Sequence, residues 1–307
     1  MKIYVLDPFH QAGVDYAARH FETVRWDDPR VNNWHDEADA VMVRMKPVTA
    51  ADIARAKKVG IICKQGVGYD TVDIVAAKKH GIVVCRTPGV NSDAVAGMAL
   101  ALGLAAGRRV VEFDRRIRAG QAVARPDFLA VEIEGKTVGV VGVGNIGSRV
   151  ARKWASAFNA RVIGFDPYIS TAPCELKPSL DEVLRESDLV TLHVPLNDET
   201  RHMIGAREIA LMKKTAVLVN TCRGGMVDET ALYAAMRAGH LFGAGLDVWD
   251  VEPPPKDHPL LTLPNVIATP HVAGNTFETQ ERSALWVAQQ AVDFLQGKPP
   301  NPENRVA

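Results

Sequence analysis

Residues 137–154 read TVGVVGVGNIGSRVARKW, an apolar run that leads into three closely spaced glycines and then into a helical pattern. Gly142, Gly144 and Gly147 fit the spacing Gly-x-Gly-x-x-Gly, which on its own is a weak signal. The flanking sequence strengthens this signal, because the glycines follow a predicted strand and lie at the start of a predicted helix. The stretch therefore predicts a turn that holds a phosphate group at a helix N-terminus.

Each position of this turn has a physical task. Gly142 permits the tight turn, Gly144 lets the backbone approach a pyrophosphate, and Gly147 lets helix and strand pack closely. A second predicted strand ends in Asp166, about 20 residues further on. Its carboxylate would accept hydrogen bonds from an adenosine ribose and repel a 2′-phosphate. The sequence therefore predicts NAD rather than NADP as the cofactor.

The composition is that of a globular protein with room for two domains. The chain has 307 residues, 47% of them hydrophobic, and a formal net charge of zero. Like charges form no block, so neither nucleic acid nor an anionic membrane is expected as a partner. The N-terminal apolar stretch is too short for a signal peptide and no run of about 20 apolar residues follows, which predicts a cytoplasmic protein.

The four cysteines follow no metal-binding or disulfide pattern. They are scattered, without Cys-x-x-Cys spacing, at Cys63, Cys85, Cys174 and Cys222. The sequence predicts neither a metal site nor a disulfide framework.

Strand-like and helical segments alternate in two series. The first series has short runs rich in Val and Ile at 2–6, 38–44, 60–64 and 81–85, with helical patterns at about 50–58 and 72–79. The second has six runs, at 137–143, 161–166, 188–194, 216–220, 243–248 and 265–269. One long helix over roughly 93–118 is predicted before the second series and another near 277–296 after it. The alternation predicts an α/β fold with two parallel sheets, the second doubly wound.

Three further segments lie in the second series: TCRGGMVDE (221–229), DVWDVEPPP (247–255) and TPHVAG (269–274). Four more lie along the chain: GVGYDTVD (66–73), TPGVNSDAVAG (87–97), HVPLNDET (193–200) and the ending PPNPENRV. Together they resemble the D-isomer-specific 2-hydroxyacid dehydrogenases from about residue 38 to the C-terminus.

The resemblance implies two Rossmann-like or flavodoxin-like domains. A discontinuous substrate-binding domain would comprise residues 1–96 and 278–307, and an NAD-binding Rossmann domain would comprise residues 97–277. It also implies a homodimer built through the long helix and the arm that follows it. The apolar residues of that helix are more numerous than one buried stripe needs, which points the same way.

The resemblance also implies a set of site residues. The catalytic set is Arg223, Glu252 and His271. Substrate would be bound by Val67, Gly68 and Arg223. Independently of the resemblance, Arg44 lies at the end of a predicted strand, where it would either reach the far end of an acidic substrate or be a surface arginine. Cofactor contacts would come from Gly142, Gly144, Asn145, Ile146, Gly147, Asp166, Pro167, His193, Val194, Pro195, Thr200, Thr221, Cys222, Asp247, Ala273 and Gly274.

The residue types of the catalytic set suit the reaction independently of the resemblance. Hydride transfer to a 2-keto acid builds negative charge on the carbonyl oxygen, and a protonated His271 can donate the proton that this oxygen needs. A nearby carboxylate such as Glu252 favours the charged imidazole. The Arg223 guanidinium can bind a carboxylate in a two-point fork and polarise the keto oxygen.

The sequence leaves the substrate open. Candidate keto acids are glyoxylate, hydroxypyruvate and phosphohydroxypyruvate. Oxidation of phosphite or formate on the same scaffold is an alternative, although formate-oxidising relatives pair a glutamine, and not a glutamate, with the histidine. A third alternative is an NAD-sensing binding protein that resembles the dehydrogenase-like corepressors.

Overall fold

The strands of the chain form two parallel sheets, each in its own unit. The computed structural model describes residues 1–124 and 128–307. Residues 1–91 and 275–307 form unit 1, and residues 92–274 form unit 2. Unit 1 is therefore built from both ends of the chain. The predicted α/β class with two parallel sheets is confirmed.

Unit 1 contains a five-stranded sheet. Its strands are β1 (Lys2–Val5), β2 (Glu22–Val24), β3 (Ala40–Val43), β4 (Ile61–Lys64) and β5 (Val83–Cys85). They lie in the order β2-β1-β3-β4-β5, and all pairs are parallel. This is the flavodoxin-like order. The sequence predicted four of these strands, whereas β2, a three-residue strand at the sheet edge, escaped the pattern.

Helices cover the first sheet. They are α1 (Gln11–Ala18), α2 (Trp34–Glu37), α3 (Ala50–Arg55) and α4 (Ile74–Lys79), together with the C-terminal helix described below. Local chemistry sets where they start: Thr49 and Asp52 form a reciprocal capping box on α3, and Asp73 caps α4 by accepting from the Ala76 N–H at 2.8 Å.

Unit 2 contains a seven-stranded sheet. Its strands are β6 (Thr137–Val141), β7 (Arg161–Phe165), β8 (Glu175–Leu176), β9 (Leu189–Leu192), β10 (Val217–Asn220), β11 (Gly243–Leu246) and β12 (Val266–Ala268). The order is β12-β11-β10-β9-β6-β7-β8, again with parallel pairs throughout. The strand order reverses between β6 and β9, and ligands bind at such a switch point in doubly wound sheets. The glycine turn directly follows β6.

The helices of unit 2 lie on both faces of this sheet. They are α5 (Ser92–Gly107), α6 (Val110–Arg118), α7 (Asn145–Phe158), α8 (Leu180–Glu186), α9 (Ala206–Leu211) and α10 (Glu229–Arg237). The chain then returns to unit 1 through α11 (Phe277–Leu295), which packs on α1, β3 and β4. On α11, Ala288 and Val292 are buried, while Leu285 and Leu295 are half-buried.

The prediction of one continuous helix over 93–118 is wrong. The chain bends by 62° between α5 and α6, where Arg109 adopts a left-handed φ of 55°. The buried Glu112 stabilises this bend, because its carboxylate accepts from Arg109 at 2.8 Å and from Arg116 at 3.1 Å. Residues 125–127, within the predicted dimer arm, lie outside the described residues.

Over the described ranges 1–124 and 128–307, no single helix has both the length and the apolar character needed to cross a bilayer. The bent pair of α5 and α6 meets that criterion only when its two members are taken together.

Candidate active site

The glycine turn after β6 has the geometry that each glycine was expected to provide. Gly142 has a φ of +84°, and a Cβ there would lie 2.5 Å from the carbonyl oxygen of His193. A Cβ at Gly147 would overlap the carbonyl oxygen of Gly142, so helix and strand need a glycine at this point. A Cβ at Gly144 would meet nothing within 4 Å. The turn thus leaves open space at the N-terminus of α7, which begins at Asn145, and this space fits a pyrophosphate.

Asp166 lies beside this turn at the end of β7. Its Oδ2 accepts from the Val143 N–H at 3.0 Å, and its Oδ1 accepts from the Tyr168 N–H at 3.0 Å. The carboxylate is therefore fixed against the main chain of the glycine turn, while Pro167 and Tyr168 are exposed. The Tyr168 hydroxyl donates to Glu199 Oε2 at 3.2 Å, which joins the segment after β7 to the segment after β9.

The segment after β9 contains a neutral histidine. Nε2 of His193 lies 2.9 Å from Oγ1 of the buried Thr191. Desolvation lowers the pKa of His193 to about 3, so the ring is uncharged at neutral pH. Further along, Thr200 donates to the carbonyl of Pro195 at 2.7 Å and fixes the turn between them. Val194 is half-buried.

The turn after β10 is organised by an asparagine. The buried Asn220 donates to the carbonyl of Arg223 at 2.8 Å and accepts from the Cys222 N–H at 3.0 Å. The Arg223 guanidinium donates to the Cys222 carbonyl at 2.7 Å. The Cys222 thiol donates to the Leu192 carbonyl at 2.6 Å, and burial raises its pKa to about 12, so it stays a thiol. Thr221 is buried beside it.

His271 follows β12 in a loop that Asp247 holds. The His271 N–H donates to the Asp247 carbonyl at 2.6 Å, and the Asp247 carboxylate accepts from the next two N–H groups, of Val272 at 2.9 Å and Ala273 at 2.8 Å. Asp247 is fully buried and also accepts from the Thr269 hydroxyl at 2.6 Å. These bonds hold His271 at a left-handed φ of 56°, which non-glycine residues seldom adopt.

Glu252 meets His271 from the loop after β11. Its Oε2 lies 2.7 Å from the Nδ1 of His271, and its Oε1 accepts from the Trp249 N–H at 3.1 Å. The Glu252 and His271 side chains are 36% and 43% exposed, so the imidazole is reachable from solution. A carboxylate that holds Nδ1 leaves Nε2 as the atom that can exchange a proton with a ligand.

Close backbone packing joins the Arg223 turn to the Glu252 loop. Gly224, the residue after Arg223, is buried, and a Cβ there would overlap the main chain of Trp249 and Asp250. The structure thus assembles the three predicted catalytic residues on loops at the carboxyl edge of one sheet, after β10, β11 and β12.

The predicted substrate residues of unit 1 lie at the carboxyl edge of its own sheet. Arg44 follows β3; its main-chain N–H donates to Asp7 at 2.9 Å and its guanidinium donates to Asn275 at 3.1 Å. The 66–69 loop follows β4 and starts at Gly66, which has a φ of +106° and whose N–H donates to Thr87 at 2.8 Å. Val67 and Gly68 are half-buried in this loop.

Comparison with known proteins identifies the family. A family model described as D-isomer specific 2-hydroxyacid dehydrogenase, NAD binding domain, matches residues 100–273. A glyoxylate reductase of Korarchaeum cryptofilum is 40% identical over 99% of this chain and 96% of that protein. The chain belongs to the D-isomer-specific 2-hydroxyacid dehydrogenases. It is an NAD-dependent oxidoreductase, and the predictions of this enzyme class and of an NAD cofactor are confirmed.

Two further relatives show how widely this dehydrogenase scaffold extends. A D-3-phosphoglycerate dehydrogenase of Methanocaldococcus jannaschii is 40% identical over 97% of the chain, which spans 58% of that protein. The crystal structure of the TT0316 protein from Thermus thermophilus superposes with a TM-score of 0.91 at 37% identity, with full coverage of both chains.

Several residues that organise the dehydrogenase site were missed by sequence reasoning. Asn220 shapes the Arg223 turn, and Gly224 admits the Glu252 loop. Glu229 and His258 pair at 3.0 Å behind that loop. Three of these residues, Asn220, Gly224 and Glu229, lie in the TCRGGMVDE segment or next to it, but their roles depend on contacts that no spacing reveals. Across residues 1–124 and 128–307, no group of three or more His, Cys, Asp or Glu side chains could hold a metal ion.

Proposed function

We propose that the protein interconverts a small 2-keto acid and the corresponding D-2-hydroxy acid, with Arg223, Glu252 and His271 as its catalytic residues. The observation that carries the proposal is the 2.7 Å contact between Glu252 and the exposed His271, on loops adjacent to the Arg223 turn. NADH, when bound, supplies a hydride to the carbonyl carbon of the keto acid. The protein must then supply a proton to the carbonyl oxygen.

His271 is the proton donor in this proposal. The Asp247 anchor fixes its main chain and Glu252 fixes its ring, so Nε2 is held in one direction. In the reverse reaction, neutral Nε2 accepts the hydroxyl proton. Arg223 binds the substrate carboxylate and stabilises charge on the reacting oxygen. The extended backbone at Arg223 and the Asn220 bonds set its direction.

The resemblance also assigns the substrate carboxylate to the 66–69 loop. Main-chain N–H groups of Val67 and Gly68 suit an anion because the glycine-rich loop can direct successive N–H groups at one point. Arg44 is assigned to the far end of the substrate. The residue is half-buried, and its guanidinium donates to Asn275 at 3.1 Å.

The cofactor is held by main chain at the glycine turn and by side chains along the carboxyl edge of the second sheet. The open space at Gly144 takes the pyrophosphate, and Asp166 takes the adenosine ribose. The remaining predicted contacts keep the roles that the resemblance assigns. They are Asn145, Ile146, Pro167, His193, Val194, Pro195, Thr200, Thr221, Cys222, Asp247, Ala273 and Gly274.

Among the keto acids, we favour glyoxylate and hydroxypyruvate as substrates. A glyoxylate reductase is 40% identical over nearly the whole of both chains, and a hydroxypyruvate reductase of Thermotoga maritima is 39% identical over 83% of this chain and 84% of that protein. The test is a panel of glyoxylate, hydroxypyruvate, phosphohydroxypyruvate and pyruvate with NADH, read by loss of nicotinamide absorbance. Phosphite and formate with NAD complete the panel. Binding of NADH without turnover of any panel member would favour a binding protein.

The homodimer is also part of the proposal. Val110 and Ile117 lie seven residues apart on one face of α6 and are 55% and 69% exposed. Leu129, in the segment that follows, is 78% exposed. Exposed apolar side chains gathered on one helix face support burial against a second copy of the chain.

A further inference from the structure

The direction of the Glu252 carboxylate depends on the main chain of its own loop. Glu252 Oε1 accepts from the Trp249 N–H at 3.1 Å, and this bond leaves Oε2 to face His271. A shift of the Trp249 peptide would therefore move the carboxylate away from the imidazole. The Trp249 side chain is buried, and its indole donates to the Thr269 carbonyl at 3.0 Å, which anchors one end of the loop.

A second carboxylate–imidazole pair holds the next peptide of this loop. Glu229, the first residue of α10, accepts from the Asp250 N–H at 2.9 Å through Oε1. Its Oε2 lies 3.0 Å from Nε2 of His258. The two side chains are only 14% and 15% exposed, and the His258 ring packs edge-on against Trp249 at 5.4 Å. Glu229 thus contacts Asp250, and His258 contacts Trp249, the two residues that lead into the turn before Glu252.

We infer that Glu229, braced by His258, is a positioning residue for the Glu252–His271 pair. This inference rests on the proposed catalytic roles of Glu252 and His271. Glu229 touches neither of them, and it acts by fixing the Trp249–Asp250 backbone against Gly224. An error of a fraction of an ångström at this backbone is passed to the carboxylate, and misplacement of about 1 Å can cost about 100-fold in rate.

The bonding pattern predicts which variants keep this role. Glu229→Ala removes both bonds of the carboxylate and frees the Asp250 peptide. Glu229→Gln keeps the acceptor for the Asp250 N–H, and its amide can donate to His258 in the other ring tautomer. His258→Ala leaves the Asp250 bond but removes the brace. Loss of kcat should therefore be greatest for Glu229→Ala, smaller for His258→Ala and smallest for Glu229→Gln.

The experiment is a double-mutant cycle on keto-acid reduction. Glu229→Ala should lower kcat about tenfold in the parent enzyme and less than twofold in the Glu252→Ala background, where no carboxylate remains to be positioned. The Kd for NADH, read by fluorescence titration, should change less than twofold. If Glu229→Ala fails to fold, the same cycle is run with His258→Ala.

Glu208→Ala is the matched control. Glu208 also lies in the first turn of a unit 2 helix and is 19% exposed, but it accepts from the Gly205 N–H at 3.1 Å and not from the Glu252 loop. Glu208→Ala should lower Tm about as much as Glu229→Ala does, while its kcat stays at the parent value.

The outcomes separate the inference from the function on which it rests. Two results would overturn the positioning role alone. One is that the losses of kcat from Glu229→Ala and Glu252→Ala multiply in the double variant. The other is that Glu229→Ala is fully active while Glu252→Ala is impaired. Full activity of Glu252→Ala would instead overturn the catalytic assignment.

Discussion

Gly224 and Trp249 pack backbone against backbone, with no room between them for a side chain. This contact holds the turn that carries Arg223 against the loop that carries Glu252. Since β10 and β11 are neighbours in the sheet, the two loops leave the same edge, and only a glycine lets them meet at this distance. The relative placement of two proposed catalytic side chains thus depends on a residue that has no side chain.

Gly224→Ala should therefore lower kcat by about 100-fold, because its Cβ would overlap main-chain atoms and one loop would have to move. Steady-state kinetics with NADH and the best keto acid measures this effect. Gly107→Ala is the control: Gly107 is also buried in unit 2, but a Cβ there would lie 3.8 Å from its nearest neighbours. Equal kinetics for the two variants would show that the loop contact does not govern catalysis.

Asp166 should determine the choice between NADH and NADPH. Its charge disfavours a 2′-phosphate, so the parent enzyme should use NADH far better, and Asp166→Ser should narrow the ratio of the two kcat/KM values. Both carboxylate oxygens also hold main-chain N–H groups, so NADH affinity should fall as well. The ratio of kcat/KM for NADH to kcat/KM for NADPH therefore decides whether Asp166 selects the cofactor. Asp257→Ser, which removes an exposed loop carboxylate, should leave it unchanged. A parent enzyme that used both cofactors equally would refute the assignment.

The sequence was sufficient for the parts of the fold that repeat a strong local pattern. Long apolar runs predicted ten of the strands, and the Gly-x-Gly-x-x-Gly flanks predicted the turn after β6. The edge strands β2 and β8 have three and two residues, too few to establish a period. The bend between α5 and α6 was missed because it depends on Arg109 and on its bonds to Glu112.

At the site, sequence reasoning selected the residues with reactive groups and missed those that hold them. Glu252 and His271 were identifiable by type and by resemblance, whereas Asn220, Glu229 and His258 act through bonds to main-chain atoms or to each other. Such bonds depend on how separate loops approach, and one-dimensional spacing does not carry that information. Asp247 was expected as a cofactor contact, and its hydrogen bonds to the His271 loop became visible only in the structure.

His193 should make the protein less stable in acid. Its folded pKa of about 3 lies below the unfolded value of about 6.5, so between these values the unfolded chain binds more protons. The contribution of the neutral ring to the free energy of unfolding is complete above about pH 6.5 and is lost as the pH falls toward 3. Between pH 7 and 5, the free energy of unfolding should fall on the order of 2 kcal/mol more for the parent than for His193→Gln. Urea unfolding at both pH values tests this; parallel pH dependences would contradict it.

The exposed face of α6 should hold the dimer together. Ile117→Lys places a charge where the proposed interface needs an apolar side chain, and desolvating an unpaired charge is costly. Light scattering at micromolar concentration should show a dimer for the parent and a monomer for the variant. Val75→Lys changes an equally exposed apolar residue, on α4 of unit 1, and should remain dimeric. A monomeric parent would refute the proposed assembly.

His271 and Glu252 should act together on the proton that the reaction transfers. Reduction needs protonated His271 and oxidation needs the neutral ring, so the two directions depend on pH in opposite senses. Glu252 Oε2, 2.7 Å from Nδ1, fixes the direction of the ring, whereas Glu252→Gln keeps an acceptor and removes the charge. This variant should lower kcat about tenfold in both directions, less than loss of the imidazole would, because the ring keeps a hydrogen-bond partner.

His271→Ala removes the proton donor itself and should lower both directions about 100-fold or more at every pH, while the Kd for NADH changes little because the imidazole acts on the substrate oxygen. Rates of both reactions between pH 5 and 10, with NADH fluorescence titrations, distinguish the two variants. The two expected losses of kcat differ in size, about tenfold for Glu252→Gln and about 100-fold or more for His271→Ala. Parent-level rates for both Glu252→Gln and His271→Ala would refute the proton-transfer assignment.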